Sequence, residues 1–265
     1  MERDFLHIDV NNAFLSWTAI DRLKKGDSVD LRTIPSIIGG DESKRHGIVV
    51  AKSNIAKKFG IQTAEPIYMA RRKCPSIVIV EADHDLYKRY SDYLYNLFLQ
   101  YTDKVERFSI DECFLDLTGY LKSGEDLVKL GIEIKERIKK EFGFTVNVGA
   151  SDDKILAKMA SDFEKPDKIH TLFKYEIEEK LWNLPVSEMF MVGKKSIPKL
   201  NKIGIKTIGD LAKTDKTILI KNFGKYGYMI WRYANGESKE EVNYLYEKPK
   251  GIGNSITLPY DVRKY

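Results

Sequence analysis

Apolar and polar positions along the 265-residue chain sort into segments of two periods. Phe5–Asp9 is a short apolar run that ends on an acid, as a central strand would. A polar stretch marked by glycines follows, with extended pieces near 34–38 and 47–51. A helix is expected over 54–59 and a turn over 60–66. From Asp83 to Tyr101, the residues Leu86, Tyr90, Tyr93, Leu94, Leu97, Phe98 and Tyr101 recur at helical spacing. Val105–Ser109 and Cys113–Leu117 read as the strands of a hairpin with Ile110, Asp111 and Glu112 at its tip. Gly124–Phe142 is a second amphipathic helix, with Leu127, Leu130, Ile134 and Ile138 on one face, and Phe144–Val148 is a fourth strand.

The order is β-α-β-β-α-β. This predicts an α+β fold of ferredoxin-like plan, an antiparallel sheet backed by two helices. The long insertion between the first strand and the first helix is expected to form a subdomain of its own. A further helix over 151–163, capped by Ser151 or Asp152, stops before Lys165-Pro166. Beyond Ile169 the pattern breaks into short helices punctuated by glycine and proline. Residues 237–250 read as a charged linker. From Gly251 an extended pattern resumes and ends at Tyr265, as though a domain continued it.

Composition narrows the class. With 43% hydrophobic and 11% aromatic residues the chain is too apolar for disorder. No run approaches the ~18 apolar residues that span a bilayer. The opening residues carry an early acid and no long apolar core, unlike a signal peptide. Cys74 and Cys113 lie far apart and form no CxxC pair, which suits a reducing cytoplasm and neither a disulfide scaffold nor a zinc site. Charge is unevenly spread. Residues 190–265 hold 15 Lys/Arg against 7 Asp/Glu, a net +8, which leaves 29 against 32 for residues 1–189. Such a basic third points to a polyanion partner, or else to solvated helix faces.

In this strand plan Asp9 and the Asp111-Glu112 tip can meet at one edge of the sheet. Three converging carboxylates repel one another unless a hard cation neutralises them, and Mg²⁺ takes such oxygen ligands. Two Mg²⁺ about 4 Å apart would polarise a phosphate and activate a hydroxyl for in-line displacement. A polar turn beside an ordinary strand-end acid is the plainer reading of the same residues.

Four segments carry a resemblance. Ser109-Ile-Asp-Glu-Cys-Phe-Leu-Asp116 is similar to the S-I-D-E-x-[FY]-L-D signature of Y-family, translesion DNA polymerases of the DinB/UmuC type. His7-Ile-Asp-Val-Asn-Asn-Ala-Phe14 resembles their first motif, and Ser53-Asn-Ile-Ala-Lys-Lys-Phe-Gly60 resembles their finger motif. Asn147-Val-Gly-Ala-Ser151 with Ala157-Lys-Met-Ala-Ser-Asp-Phe-Glu-Lys-Pro166 resembles the G-x-[SA]-x-N-K…A-K-x-A-S-x-x-x-K-P run. The match is collinear over nearly the whole chain.

The resemblance implies a palm from 1–13 and 80–168, inserted fingers over 14–79, and an all-helical helix-hairpin-helix thumb over 169–236. Residues 237–265 would be a linker and the start of a little-finger domain. It implies Asp9, Asp111 and Glu112 as carboxylates for two Mg²⁺, with the Val10 carbonyl as a further ligand. Phe14 falls on the steric-gate position, where a ring under the sugar excludes a 2′-hydroxyl. Ile48 and Val50 fall over the nascent base pair, Ser53, Asn54 and Lys57 in the nucleotide-binding finger motif, and Lys165 at the triphosphate. Three departures stand out. Asn54 and Lys57 replace the usual Tyr and Arg, so the bidentate fork is lost. Asn11 and Asn12 replace the usual Asp and a larger residue, and Ile48 is bulkier than usual.

Phe190–Ile205 resembles the family's thumb hairpin. Gly193, Lys194, Lys195, Ser196 and Lys199 would hold DNA phosphates without reading sequence, Ser196 capping the helix and Gly193 supporting the turn where Met191 replaces the first glycine. The implied activity is primer extension from dNTPs on template DNA without proofreading, by a cytoplasmic, membrane-free monomer. Family members often end in a sliding-clamp peptide, which would lie outside this chain. A catalytically weak DNA-binding subunit and a nucleotidyl cyclase are the competing readings.

Overall fold

The computed structural model describes residues 3–40, 47–245, 251–255, 258, 260 and 262. These form two compact units, one of residues 1–11 and 95–244, the other of 12–94 and 245–265. This division differs from the expected boundaries at 13/14, 79/80 and 168/169. Residues 80–94 group with the insertion, and the helical segment after 169 groups with the first sheet.

In the first unit a five-stranded sheet is built from β1 (Phe5–Val10), β5 (Val105–Arg107), β6 (Glu112–Asp116), β7 (Val146–Ser151) and β8 (Ile169–Thr171), in the order β5-β6-β1-β7-β8. The first four are antiparallel neighbours, as the β-α-β-β-α-β reading requires, and β8 adds itself parallel to β7. The fourth strand begins two residues later than expected and runs on through Ser151.

Two helices lie on opposite faces of this sheet because side chains alternate along β1 and β7. Helix α5 (Gly124–Phe142) covers one face: a Cβ on its Gly131 would strike side-chain atoms of Val148, Leu6 and Ile169. Helix α6 (Lys154–Ser161) covers the other so closely that a Cβ on Gly149 would lie 1.9 Å from the Ala157 carbonyl oxygen. Only glycine permits that approach. The cap of α6 is Asp153, not Ser151 or Asp152: its carboxylate accepts from the N–H groups of Ile155 and Leu156, while Ser151 completes β7.

Apolar residues of α6 also enter a second core with α7 (Ile177–Lys180), α8 (Ile197–Lys202), α9 (Ile208–Lys213) and α10 (Lys216–Ala234, broken at Gly224). Leu156, Met159, Leu181, Leu200, Leu211 and Ile230 meet there. That shared helix is why the segment after 169 does not separate from the sheet. Residues 237–243, expected as a linker, are a strap on the same unit. Ser238 donates to Asp153 through both its N–H and its hydroxyl, the Glu241 carbonyl accepts from Lys154, and Val242 packs on Phe5 and Phe114. Residues 246–250 of that expected linker, and 256, 257, 259, 261 and 263–265 of the extended tail, lie outside the described residues.

The second unit carries a three-stranded sheet of β2 (Ser36–Gly39), β3 (Val49–Lys52) and β4 (Val78–Glu81), ordered β3-β2-β4. Its core gathers Ile37, Val49, Ala56, Ile61, Ile67, Ala70 and Ile77 with α2 (Asn54–Lys58) and α3 (Ile67–Lys73). Helix α1 (Ala13–Lys24) stands where only a polar, glycine-marked stretch was expected. Leu15, Ser16, Trp17, Thr18, Ala19 and Ile20 are all buried, so no polar face survives to mark a helical period. Trp17 stacks on Tyr90 of α4 (His84–Phe98), with ring centroids 5.9 Å apart.

Candidate active site

Along β1 the residues His7 and Asp9 alternate with apolar neighbours and therefore share the face toward α6, and Asn11 follows just past the strand's end. Register then assembles the acids. Asp9 pairs with Glu112 of β6 on one side and Asn147 of β7 on the other. Asp111 lies beside them, because the Val10 N–H donates to the Asp111 carbonyl at 3.0 Å. The three predicted carboxylates and the Val10 backbone thus share one end of the sheet.

Each carboxylate has its own partner. Lys165 Nζ lies 2.7 Å from Asp9 Oδ2 and 2.9 Å from Asp162. Lys158 Nζ lies 2.5 Å from Glu112 Oε1. Ser109 Oγ donates to Asp111 Oδ1 at 2.7 Å. Among the described residues no three His, Cys, Asp or Glu side chains are gathered closely enough to hold a metal ion. The donor chemistry nevertheless suits one: burial raises the Asp9 carboxyl to about 6 against the pull of Lys165, and the Glu112 and Asp111 charges push it the same way. All the donors are hard oxygens, which suits Mg²⁺, and the two lysines supply the positive charge that the crowded acids demand. Burial draws the Lys165 ammonium down, but Asp9 and Asp162 outweigh it and hold it above its ordinary value.

Lys158 was not anticipated as a site residue. Its head is almost buried, 5.1 Å from the Phe108 ring centroid and 5.7 Å from that of Phe190. A lysine in the apolar run Ile155–Ala160 was its signal. His7 is fully buried, with Nδ1 2.7 Å from Ser161 Oγ and Nε2 3.9 Å from Glu112. Burial first, then Lys158, Lys165 and Lys154, lowers its pKa well below the ordinary value, so the ring is neutral.

The remaining predicted residues divide sharply. In the second unit Phe14 is half-buried and stacks on Tyr87, centroids 4.4 Å apart and planes 17° off parallel. Ile48 is exposed beside β3, and Val50 is half-buried within it. Asn54 and Lys57 lie exposed on α2. The expectation for Ser53 is corrected. Its side chain is fully buried, donating to the Ile34 carbonyl and accepting from the N–H groups of Ala56 and Ser36. With its hydroxyl so committed it holds the start of α2.

In the helical segment Gly193, Lys194, Lys195 and Lys199 are exposed. At the expected hairpin Met191 itself adopts the left-handed conformation, at φ 70°, whereas Gly193 lies outside that region and its carbonyl accepts from the Ser196 N–H at 2.8 Å. Ser196 makes no side-chain cap; its Oγ lies 3.2 Å from the Tyr226 hydroxyl, which also donates to the Met191 carbonyl.

The antiparallel sheet of order β5-β6-β1-β7 thus sets Asp9 and Glu112 opposite each other on its two central strands. Residues 8–162 match the model of the impB/mucB/samB family, and the chain belongs to that family. It is 51% identical over 262 residues to DNA polymerase IV of Clostridium acetobutylicum, covering 99% of this chain and 66% of the relative. DNA polymerase IV of Acetivibrio thermocellus is 40% identical over 264 residues, with 99% and 65% covered. Among solved structures a Y-family DNA polymerase chimera superposes with a TM-score of 0.82 at 25% identity, covering 91% of this chain and 69% of that one. DinB from Sulfolobus solfataricus gives 0.78 at 27% identity, with 90% and 69% covered. The chain spans about two thirds of the length of these curated relatives.

Proposed function

We propose that the chain is the catalytic portion of a template-directed DNA polymerase of the translesion type. The observation that carries this reading is the strand register that sets Asp9 opposite Glu112, with Asp111 beside them and Lys165 on Asp9. The relatives named DNA polymerase IV, and a similar structure described as an insertion ternary complex, support it.

In the proposed reaction the primer 3′-hydroxyl attacks the α-phosphate of a dNTP, giving its proton to solvent water, and the bond to the β-phosphate breaks so that pyrophosphate leaves. Asp9, Asp111, Glu112 and the Val10 carbonyl would hold two Mg²⁺. Bound there, Mg²⁺ supplies Lewis-acid stabilisation of the phosphate charge. Lys165 offsets the triphosphate charge as a compact cation, and Asn54 and Lys57 donate to the same phosphates. Ile48 and Val50 face the base pair, and Phe14 lies beneath the sugar. Gly193, Lys194, Lys195 and Lys199 hold the DNA backbone without reading sequence, with Ser196 shaping that turn through Tyr226.

Primer extension with Mg²⁺ and dNTPs tests the reading against the rivals. Template-directed products are expected. Cyclic-nucleotide formation without primer would instead indicate a cyclase, and DNA binding without extension an inactive subunit. Phe14→Ala is expected to admit ribonucleotides in single-nucleotide insertion, because it removes the ring under the sugar. Unchanged discrimination would return Phe14 to a purely packing role against Tyr87.

A further inference from the structure

We propose that Asn11 is a positioning residue: with Asn147 it holds the loop from Asp162 to Lys168 against β1 and so sets Lys165 beside Asp9. The proposal rests on the reading of Lys165 as the cation that meets the triphosphate. Asn11 stands two residues after Asp9 and is buried. Its amide nitrogen donates to Asn147 Oδ1 at 3.0 Å. Its carbonyl oxygen accepts from Thr145 Oγ1 and from the Asp167 N–H, each at 2.9 Å. Asn147 is fully buried, and its own amide nitrogen donates to the carbonyls of Ser161 at 3.0 Å and Glu164 at 2.6 Å.

The two amides therefore grip the chain at 161, 164 and 167, on both sides of Lys165. The far side of the loop is held as well. Asp167 sits in the left-handed region at φ 61°, a conformation that a non-glycine residue keeps where its surroundings hold it. Its carboxylate is taken by two lysines of α5, Lys135 at 2.8 Å and Lys139 at 2.7 Å.

The donor–acceptor balance explains the residue type. The amide protons of Asn147 go to the Ser161 carbonyl at the end of α6 and to the Glu164 carbonyl of the loop, and its Oδ1, an amide oxygen, can only accept. Position 11 must then donate to Asn147 while accepting from Asp167 and Thr145. An amide can do both; a carboxylate cannot. An Asp at position 11 would face the Asn147 oxygen without a proton to share, or force Asn147 to release the loop.

The test is single-nucleotide insertion kinetics, with hydrogen exchange across residues 162–168, on the full chain and on Asn11→Ala, Lys165→Ala and the double variant. Asn11→Ala is expected to raise the KM for dNTP about tenfold, the loss of roughly one buried hydrogen bond's worth of placement, with kcat within about twofold. Because Asn11 acts through Lys165, the double variant should have no higher KM than Lys165→Ala alone. The Asp167 amide should exchange about tenfold faster or more in Asn11→Ala but not in Lys165→Ala. Asn11→Asp, closer in size, should reproduce the KM effect and carries the same comparison if the alanine variant does not fold. Additive KM losses, a fall confined to kcat, or unchanged exchange would overturn the proposal. If the unmodified chain inserts no nucleotide, the polymerase reading fails, while the exchange comparison still decides whether Asn11 holds the loop.

Discussion

The acidic end of the five-stranded sheet and the lysine-bearing turn at 193–199 belong to the same unit but hold their charge in opposite ways. At the sheet end, Asp9 and Glu112 are largely shielded from water, fixed by cross-strand register, and each set against one lysine at 2.7 Å or less. At the turn, Lys194, Lys195 and Lys199 project into solvent from a short helix start. A buried pair depends on geometry and resists salt; exposed lysines tolerate substitution and are screened within about 10 Å at 0.1 M salt. The difference teaches where chemistry and where diffuse attraction should lie.

The largest effect that can break this comparison is expected at Asp111. Asp111→Ala should lower primer extension by at least about 10³-fold while DNA binding and the circular-dichroism melt stay nearly unchanged, since only a Ser109 hydrogen bond is lost. Extension within tenfold of the unmodified chain, at matched Mg²⁺, would falsify the assignment of the acids.

Lys158→Met should be the most destabilising of these changes. It removes the ammonium from the shielded Glu112 carboxylate, which keeps the Ser109 hydroxyl at 3.3 Å, at a cost of about 3 kcal/mol, which for a chain of this size is a melting shift of roughly 6–12 °C. A shift under about 2 °C would mean that water already compensates Glu112.

Asp9 sharpens the comparison through pH. Its folded pKa, raised to about 6 by burial, lies above its ordinary value of 3.8, so the ionised carboxylate costs stability above about pH 6. That cost fades as pH falls through 6 and is gone below about 4, where folded and unfolded forms are both protonated. Asp9→Asn should therefore melt higher than the unmodified chain at pH 7 and alike at pH 4. Equal melting temperatures at pH 7 would show that Lys165 fully offsets the buried charge. A function-first site that gives up stability is the pattern expected here.

The smallest effect is reserved for the turn. Changing Lys194 and Lys195 together to Ala should weaken binding to unrelated DNA sequences about equally. The slope of log K against log salt should become shallower by up to about 1.8 if both contact phosphates. A sequence-dependent loss would give these lysines a reading role that their exposure does not suggest.

Much of the site was legible in the chain because short-range patterns carry it. The apolar run that makes Phe5–Asp9 a strand, and the hairpin that brings Asp111 to its tip, are set by neighbouring residues, although Glu112, expected at the tip, opens β6; the pairing of central strands follows from the β-α-β-β-α-β order. Helix α5 was read to the residue because one apolar face alternates with solvent along its whole length. Helix α1 was not, since burial on nearly every side erased its polar stripe. Tertiary structure alone decided the rest. That Ser53 is spent on capping, that Met191 takes a glycine's backbone, and that 237–243 is a strap rather than a linker all depend on partners far along the chain. So does the role of Asn11, whose oxygen meets the N–H of Asp167 across 156 positions of sequence. A residue's periodicity records the face it presents, whereas its hydrogen-bond partner is chosen only when distant segments close, and that choice leaves no local pattern to read.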